Sequence, residues 1–339
     1  MTVRVMTWNV ENFFPTKVGA GPKTPAEFDA KLATLVRVIQ QQRPDVLALQ
    51  EVGDEKGHAL PRSLEALVAK LDGYAPVVSQ HPDGRGIRCA ILVKKPSTFA
   101  AEPELVALDA KAPLAFDDLQ GHPLKTMGRG AVHVRLDVAG RRIHVITAHL
   151  KSKLLEFPNN RFTTKDEDER LRVAALALTR RTAEAAAVRI AVTTLRKQKP
   201  NEPIIVMGDL NDGPESATTQ VLYGPPGSQP GTGSAGFDRP DQGDAERLFN
   251  LTGFIPAERR YSRIFKGQKE LIDHILVSGD LVPQVDAKHK RPPVSVDAVV
   301  DYGAGGPHGA LESIDEHPAE RQGKPASDHA PVVAELDLA

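Results

Sequence analysis

Pro203-Ile204-Ile205-Val206-Met207-Gly208-Asp209-Leu210-Asn211-Asp212 is an apolar run that stops at a glycine and then releases two acids and an amide. The β-branched density and short length read as a buried strand. Gly208 permits a tight turn after it. On its own the segment also reads as an ordinary turn, because Asp, Asn and Gly favour turns without any chemistry.

Repetition decides between the two readings. Five more polar signatures each follow an apolar run: Thr7-Trp8-Asn9, Leu49-Gln50-Glu51, Ala148-His149-Leu150-Lys151-Ser152, Ile272-Asp273-His274 and Ser327-Asp328-His329. With Gly208-Asp209-Leu210-Asn211 as the first, the six supply three Asp, one Glu, two Asn and three His. Polar groups at strand ends are where layered α/β proteins assemble sites, since the loops converge there while the strands stay rigid. A single site drawn from Asn9 through His329 needs both ends of the chain in one fold, so residues 1–339 are read as a single domain.

Strands are expected at Val3–Trp8, Asp45–Leu49, Ala75–Ser79, Ile87–Lys94, Leu105–Leu108, Pro203–Met207 and Ala330–Leu338. A hairpin at Ala139-Gly140 should join Ala131–Asp137 to Arg142–Ala148. Arg260–Phe265 and Glu270–Val277 read as another strand pair around Lys266-Gly267-Gln268. Helical spacing marks Glu27–Gln42, stopped by Pro44, and Ser63–Leu71. Asp166–Lys197 lacks Gly and Pro and reads as one long helix. The stretches 224–243 and 302–326, rich in Gly and Pro, are expected to be irregular loops. Helices alternating with hairpins favour a mixed α/β sandwich over a doubly wound parallel sheet.

Lys+Arg 43 against Asp+Glu 44 gives a net charge of -1, which argues against a generally basic nucleic-acid coat. The segment 151–200 is locally basic, and its plain reading is a solvated helix face. Cys89 is the one cysteine, so no intramolecular disulfide forms and nothing points to an oxidising compartment. It lies in an apolar strand and reads as a structural thiol. No apolar run approaches a membrane span, no leader precedes the first strand, and the cytoplasm is the expected location.

The donors are oxygen-rich and lack a cysteine cluster, which favours Mg²⁺, with Mn²⁺ as a substitute, over structural zinc. His149, beside Lys151, can donate a proton to a leaving group. In Asp273-His274 and Asp328-His329 a carboxylate can bind metal or fix a histidine tautomer. No phosphate-cradling glycine loop and no Gly-x-Ser-x-Gly elbow is present.

In order and identity, the six signatures resemble the endonuclease/exonuclease/phosphatase superfamily, the DNase I-like metal-dependent phosphoesterases, over Val3 to Leu336. The Gly-Asp-Leu-Asn-Asp-Gly-Pro and Leu-Ile-Asp-His-Ile-Leu-Val-Ser forms are similar to its broad bacterial branch. The resemblance implies a four-layer α/β sandwich with two mixed, mainly antiparallel sheets flanked by helices. It implies that Asn9, Glu51 and Asp328 hold the metal, with Glu51 the principal ligand. Asp209 and Asn211 would orient water and phosphate. Asp273 would hold His329, which contacts the phosphate or serves as base, and His149 would act on the leaving-group side. Arg129 and Lys151 are the substrate-binding candidates. Two departures stand out. The tyrosine that DNase I-like nucleases carry near residue 89 is Cys89 here, and the carboxylate that supports the catalytic histidine falls near Ile91.

The expected reaction is metal-dependent, in-line attack of water on a phosphate ester, with a nuclease or phosphodiesterase acting on nucleic acid as the first reading. A phosphatase of a small phosphorylated metabolite or lipid head group is the second. A non-catalytic binding protein with the same fold is the third, since fold alone does not establish activity. No protein partner is evident.

Overall fold

The computed structural model describes residues 2–138, 140–224, 246–282, 295–300, 311–314 and 318–338. In chain order its first elements are β1 (Thr2–Phe13), α1 (Pro25–Gln42), β2 (Val46–Gly53), α2 (Arg62–Lys70), β3 (Tyr74–Val78), β4 (Ile87–Lys94), β5 (Thr98–Ala101) and β6 (Leu105–Ala107). Then come β7 (Thr126–Val138), β8 (Arg141–His149), α3 (Glu167–Gln198), β9 (Ile204–Asp209), α4 (Ala217–Tyr223), β10 (Leu248–Asn250), β11 (Arg263–Phe265) and β12 (Gln268–Glu270). β13 (Asp273–Ser278), β14 (Ser295–Ala298), β15 (Ser313–Ile314) and β16 (Val332–Asp337) complete the set.

Two sheets carry the architecture. One is six-stranded, in the order β14-β16-β1-β2-β4-β3, and the other is seven-stranded, in the order β10-β13-β9-β8-β7-β5 with β6 also on β7. Both are mainly antiparallel with one parallel pair each, β1 with β2 and β8 with β9. Val5, Ala48, Cys89 and Ile91 from the first sheet meet Val134, Val145, Met207 and Ile275 from the second in one apolar layer. The opposite face of the first sheet packs Met6, Trp8, Leu47 and Leu49 on α1 and α2, through Leu35, Ile39 and Leu64. The outer face of the second packs Ile146, Ala148 and Val206 on α3 through Ala185, Val188 and Val192. Each fully buried Val, Leu, Ile or Met among them contributes roughly 1.5–3 kcal/mol. The result is the four-layer sandwich expected from the sequence.

Local chemistry sets the helix ends. Thr24 and Glu27 form a reciprocal capping box with Pro25 in the first turn of α1. Asp166 caps α3 by accepting from the Asp168 and Glu169 N–H groups, and Arg196 and Lys197 sit in its last turn, where the helix dipole favours cations. The Ala139-Gly140 hairpin joins β7 to β8 in register, with Val138 opposite Arg141; Ala139 itself lies outside the described residues.

Three expectations change. Gly208 is not a turn residue but lies within β9, at φ +153, where a Cβ would come 1.9 Å from the Ala148 carbonyl oxygen on the parallel strand β8. Its role is close approach of two backbones. Glu270–Val277 is not one strand. β12 pairs with β11 in a small third sheet, whereas β13 inserts between β9 and β10. At Leu271-Ile272 the chain passes from one sheet to the other: Ser262 Oγ accepts the Ile272 and Asp273 N–H groups, and the Ile272 carbonyl accepts the Leu210 N–H just past the end of β9. The stretch 302–326 also holds structure, namely β15 and a 3₁₀ turn at Pro318–Arg321. Residues 302–310 and 315–317 of it, and all of 224–243 except Gly224, lie outside the described residues. Among the described residues, no helix is long and apolar enough to cross a membrane.

Candidate active site

Where β1 and β2 reach the shared end of the sandwich, their register shifts between Asn9 and Phe13. Three non-glycine residues adopt left-handed backbone there: Glu11 at φ 47, Asn12 at φ 50 and Glu51 at φ 63. Such conformations cost on the order of 1–3 kcal/mol each and persist only when neighbours over-determine them. Here the neighbours are specific. Glu51 Oε2 accepts the Asn12 N–H at 2.9 Å, and Asn9 Oδ1 accepts the Glu11 N–H at 2.9 Å. Glu11 itself is buried against Arg321, with Nε to Oε1 at 2.5 Å and Nη2 to Oε2 at 3.0 Å. Its Oε2 also accepts the Asp328 N–H at 3.0 Å, and Ser327 Oγ donates to the Asn9 carbonyl at 2.6 Å. The Ser327-Asp328-His329 turn is thereby fastened to β1.

From Asn9 the network crosses to the second sheet, because its Nδ2 donates to Asp209 Oδ2 at 2.9 Å. Two histidines approach that same oxygen, His149 Nε2 at 3.4 Å and His329 Nε2 at 4.0 Å. Asp209 Oδ1 accepts the Asn211 N–H at 2.8 Å, and Asn211, at φ 54, donates Nδ2 to the Leu150 carbonyl at 2.9 Å. His329 Nδ1 bonds Asp273 Oδ2 at 2.7 Å, and Ser262 Oγ donates to that oxygen, also at 2.7 Å. Burial would lower the His329 pKa, but Asp273 and Asp328 outweigh it and raise it to about 10. Burial, then Asp273, raise the Asp209 carboxyl to about 7 against the pull of His329. His149 moves the other way: burial, then Arg129 and His329, lower it well below the ordinary value, so its ring is neutral near pH 7.

Metal fit rests on donor chemistry. Asp209, Asp273 and His329 each offer an atom within 4.8 Å of the others. Yet His329 spends Nδ1 on Asp273 and carries a proton, and an imidazolium cannot ligate. The donors of this trio are already engaged with one another. Glu51 and Asp328 offer carboxylate oxygens and Asn9 an amide oxygen, and buried Lys31 lies in the field of Glu11, Asp328 and Glu51. His329, Arg263 and Arg321 hold Asp328 ionised against its burial. That donor set suits a hard divalent cation. A second acidic group, Asp54-Glu55-His58, does not, since Asp54 is taken by Arg62, whose Nη2 lies 2.7 Å from Oδ1.

The remaining sequence candidates divide. Arg129 is buried beside the site and held by Asp83, with Nε and Nη2 both 3.0 Å from Oδ2. Lys151 follows His149 but turns its Nζ to the Leu154 carbonyl at 3.1 Å. Gln50 bridges the sheets, donating to Thr7 Oγ1 and Thr147 Oγ1 at 3.1 and 2.9 Å. His274 is structural, buried with Nε2 on the Asp212 carbonyl at 2.8 Å. The helix arginines are largely spent within the protein. Arg161 pairs with Glu169, Arg170 with Glu167, Arg180 with Glu184 and Arg181 with Asp212. The side chain of Asn160 lies outside the described residues. Cys89 and Ile91 both lie in the apolar layer between the sheets, and burial pushes the thiol up to about 12. Consistent with the missing carboxylate at Ile91, His149 Nδ1 is buried without a hydrogen-bond partner. Sequence reasoning missed Glu11, Lys31, Glu184, Ser262, Arg263 and Arg321. Only Glu11, two residues beyond Asn9, stood close enough to a signature to be found.

With this geometry in hand, the comparisons fall into place. The model of the Endonuclease/Exonuclease/phosphatase family matches residues 6–329. No curated protein matches by sequence. Among solved structures, truncated TDP2 of Caenorhabditis elegans is similar at TM-score 0.55 and 17% identity, covering 99% of this chain and 98% of that one. The human nocturnin catalytic domain with bound sulfate anion is similar at 0.54 and 16%, covering 99% and 94%. D. rerio TDP2 complexed with single strand DNA product follows at 0.50 and 13%, covering 99% of each. At these identities the likeness is one of fold.

Proposed function

Given that this chain belongs to the Endonuclease/Exonuclease/phosphatase family, we propose that it is a divalent-metal-dependent phosphodiesterase that cleaves nucleic acid by in-line attack of water. One observation carries the reading: His149 Nε2 and His329 Nε2 converge on the Asp209 oxygen that Asn9 also holds. A cationic and a neutral imidazole around one carboxylate make a cleft for a tetrahedral anion and its nucleophile.

Glu51, Asn9 and Asp328 would hold the cation. When bound it supplies charge neutralisation to the phosphoryl oxygens and acidifies a coordinated water. Asp209, poised near neutrality, orients the attacking water and accepts its proton; Asn211 fixes the loop that presents it. His329, kept charged by Asp273, binds a phosphoryl oxygen rather than serving as base. His149 donates from its N–H toward the leaving oxygen. Arg129 supplies fixed positive charge beside the phosphate, and Lys151 lines the approach.

Because Asn9 and His329 belong to one hydrogen-bonded site, we read the whole chain as one catalytic domain, and a reducing, cytoplasmic setting suits its single buried thiol. Nucleic acid is favoured because D. rerio TDP2, of the same fold, was crystallised with a DNA product. The test is a Mg²⁺ and Mn²⁺ screen against plasmid DNA, single strands, RNA, bis-p-nitrophenyl phosphate and p-nitrophenyl phosphate, with EDTA as control. Metal-dependent cleavage of polynucleotides is expected. Turnover of the monoester alone would move the assignment to a phosphatase, and full activity of the His149→Ala and His329→Ala variants would refute the site.

A further inference from the structure

His149 lacks the device that usually aims such a ring. An acting histidine is commonly oriented by a carboxylate or carbonyl on its second nitrogen, but here Nδ1 is buried without a hydrogen-bond partner among the described residues. The ring therefore takes its aim from the backbone that carries it. That backbone is clamped immediately downstream, and by one turn of one helix. The Lys151 N–H donates to Glu184 Oε2 at 2.7 Å, and the Lys151 carbonyl accepts from Arg181 Nη1 at 3.0 Å. Both polar groups of this residue, two positions after His149, are thus held by α3 side chains three residues apart.

The same two side chains reach the neighbouring strand ends. Glu184 Oε1 accepts the Gly128 N–H at 2.8 Å, just before Arg129, while Arg180 Nε supports it at 3.1 Å. Arg181 Nε donates to Asp212 Oδ2 at 3.0 Å, one residue after Asn211. Asp212 is further fixed by Ser216 Oγ at 2.9 Å and Thr218 Oγ1 at 2.5 Å. Glu184 is 1% and Arg181 6% exposed, far more buried than charges needed only for solubility. A charge buried this deeply is retained where its hydrogen bonds specify a geometry.

We infer that Arg181 and Glu184 are positioning residues: through the backbones of Gly128 and Lys151 and the side chain of Asp212 they set the mutual placement of Arg129, His149 and Asp209-Asn211. The inference rests on the proposed role of His149 at the leaving oxygen, and it adds that α3 supplies the aim that no carboxylate on Nδ1 provides. Gln at 184 breaks the clamp with little change in size, because two backbone N–H donors facing one carboxylate become one donor facing an amide NH₂.

A leaving-group series separates aim from general damage. Wild type, His149→Ala, Glu184→Gln and Arg181→Lys are assayed with Mg²⁺ on aryl methyl phosphates whose phenols range from p-nitrophenol to phenol, alongside thermal melts. Loss of donation to the leaving oxygen penalises phenol far more than p-nitrophenol. His149→Ala and both α3 variants should therefore steepen the dependence, with a loss on the phenyl ester roughly 10- to 100-fold greater than on the p-nitrophenyl ester. kcat should carry the change while KM stays nearly constant. If His149→Ala steepens the series while folded Glu184→Gln and Arg181→Lys lower every ester equally, or none, the positioning role is wrong and the His149 assignment survives. If His149→Ala leaves the slope unchanged, both fall. Arg181→Lys keeps the charge and one contact, so it reports even if Glu184→Gln melts below the assay temperature.

Discussion

The site is built in two halves that are secured by different physics. The six-stranded half, with Asn9, Glu51 and Asp328, is held by strained backbone and buried charge: three left-handed residues, and the Glu11–Arg321 pair beneath the Asp328 turn. The seven-stranded half, with His149, Asp209, Asn211 and Asp273, has its strand ends tied to a helix and to each other by neutral and charge-assisted hydrogen bonds. The first half concentrates carboxylates, which repel one another unless a cation joins them. The second spaces its groups so that their proton affinities diverge. On the roles proposed above, metal holding and proton handling have separate supports.

Substitutions across this divide test it, the largest effect first. Asp209→Asn should lower kcat roughly 10²- to 10⁴-fold while leaving stabilisation by Mg²⁺ intact. Glu51→Gln should abolish that stabilisation, about 2.7 kcal/mol when the metal is at a hundred times its dissociation constant. Melting temperatures with and without Mg²⁺ would read both, and an Asp209→Asn protein that no longer responds to metal would erase the division.

Removing one member of the buried pair under Asp328 comes next. Arg321→Met should cost up to about 3–5 kcal/mol, because Glu11, whose carboxyl burial and Asp328 already raise to about 7, loses its buried partner and must stay charged there or take up a proton; chemical denaturation measures this. The double variant Glu11→Leu/Arg321→Met should recover much of the loss. If it does not, the pair contributes more than mutual neutralisation.

pH sharpens the comparison on the other side. At the far end of the seven-stranded sheet, His133 Nε2 meets His144 Nδ1 at 2.9 Å, and His144 Nε2 meets Glu202 at 2.8 Å. Burial, then His144 and Arg135, depress His133 from 6.5 to about 4. The folded state thus resists protonation that the unfolded chain accepts. Stability is full above about pH 6.5 and falls as pH drops toward 4, by up to about 3 kcal/mol. His133→Leu should flatten that acid limb in melts compared between pH 7.5 and pH 4.5. An unchanged limb would assign the acid sensitivity to the carboxylate half instead.

The smallest effect concerns the rim. Lys151→Met should weaken oligonucleotide binding less than tenfold and lower the salt slope by about one, as titrations across salt concentrations would show. An unchanged slope would mean that Lys151 meets no phosphate.

Short, β-branched apolar runs and turn chemistry made most strands and the order of the signatures legible, because each polar group was announced by the apolar strand before it; the two-sheet sandwich came only with the family resemblance. The supports were not legible. Arg181 and Glu184 lie in an alanine- and arginine-rich helix where nothing separates them from their solvated neighbours, and only the packing of β7, β8 and β9 beneath α3 selects them. Arg321 fell in a stretch read as irregular, since a buried ion pair leaves no periodic trace. Gly208 was noticed for the wrong reason: one sequence cannot show that Ala148 runs alongside it.

The first half of β1 pairs with β16, from Thr2 opposite Asp337 to Thr7 opposite Val332, and the Trp8 indole donates to the His329 carbonyl at 2.8 Å. β1 is therefore made long before the strand it pairs with, and closing so long a loop is slow. Until the Ser327-Asp328-His329 turn emerges, the nascent polypeptide carries Asn9 and Glu51 without the groups that complete them. A hydrolase assembled this way stays inert through its own synthesis, and ribosome-stalled chains ending before Ser327 should show no metal-dependent cleavage.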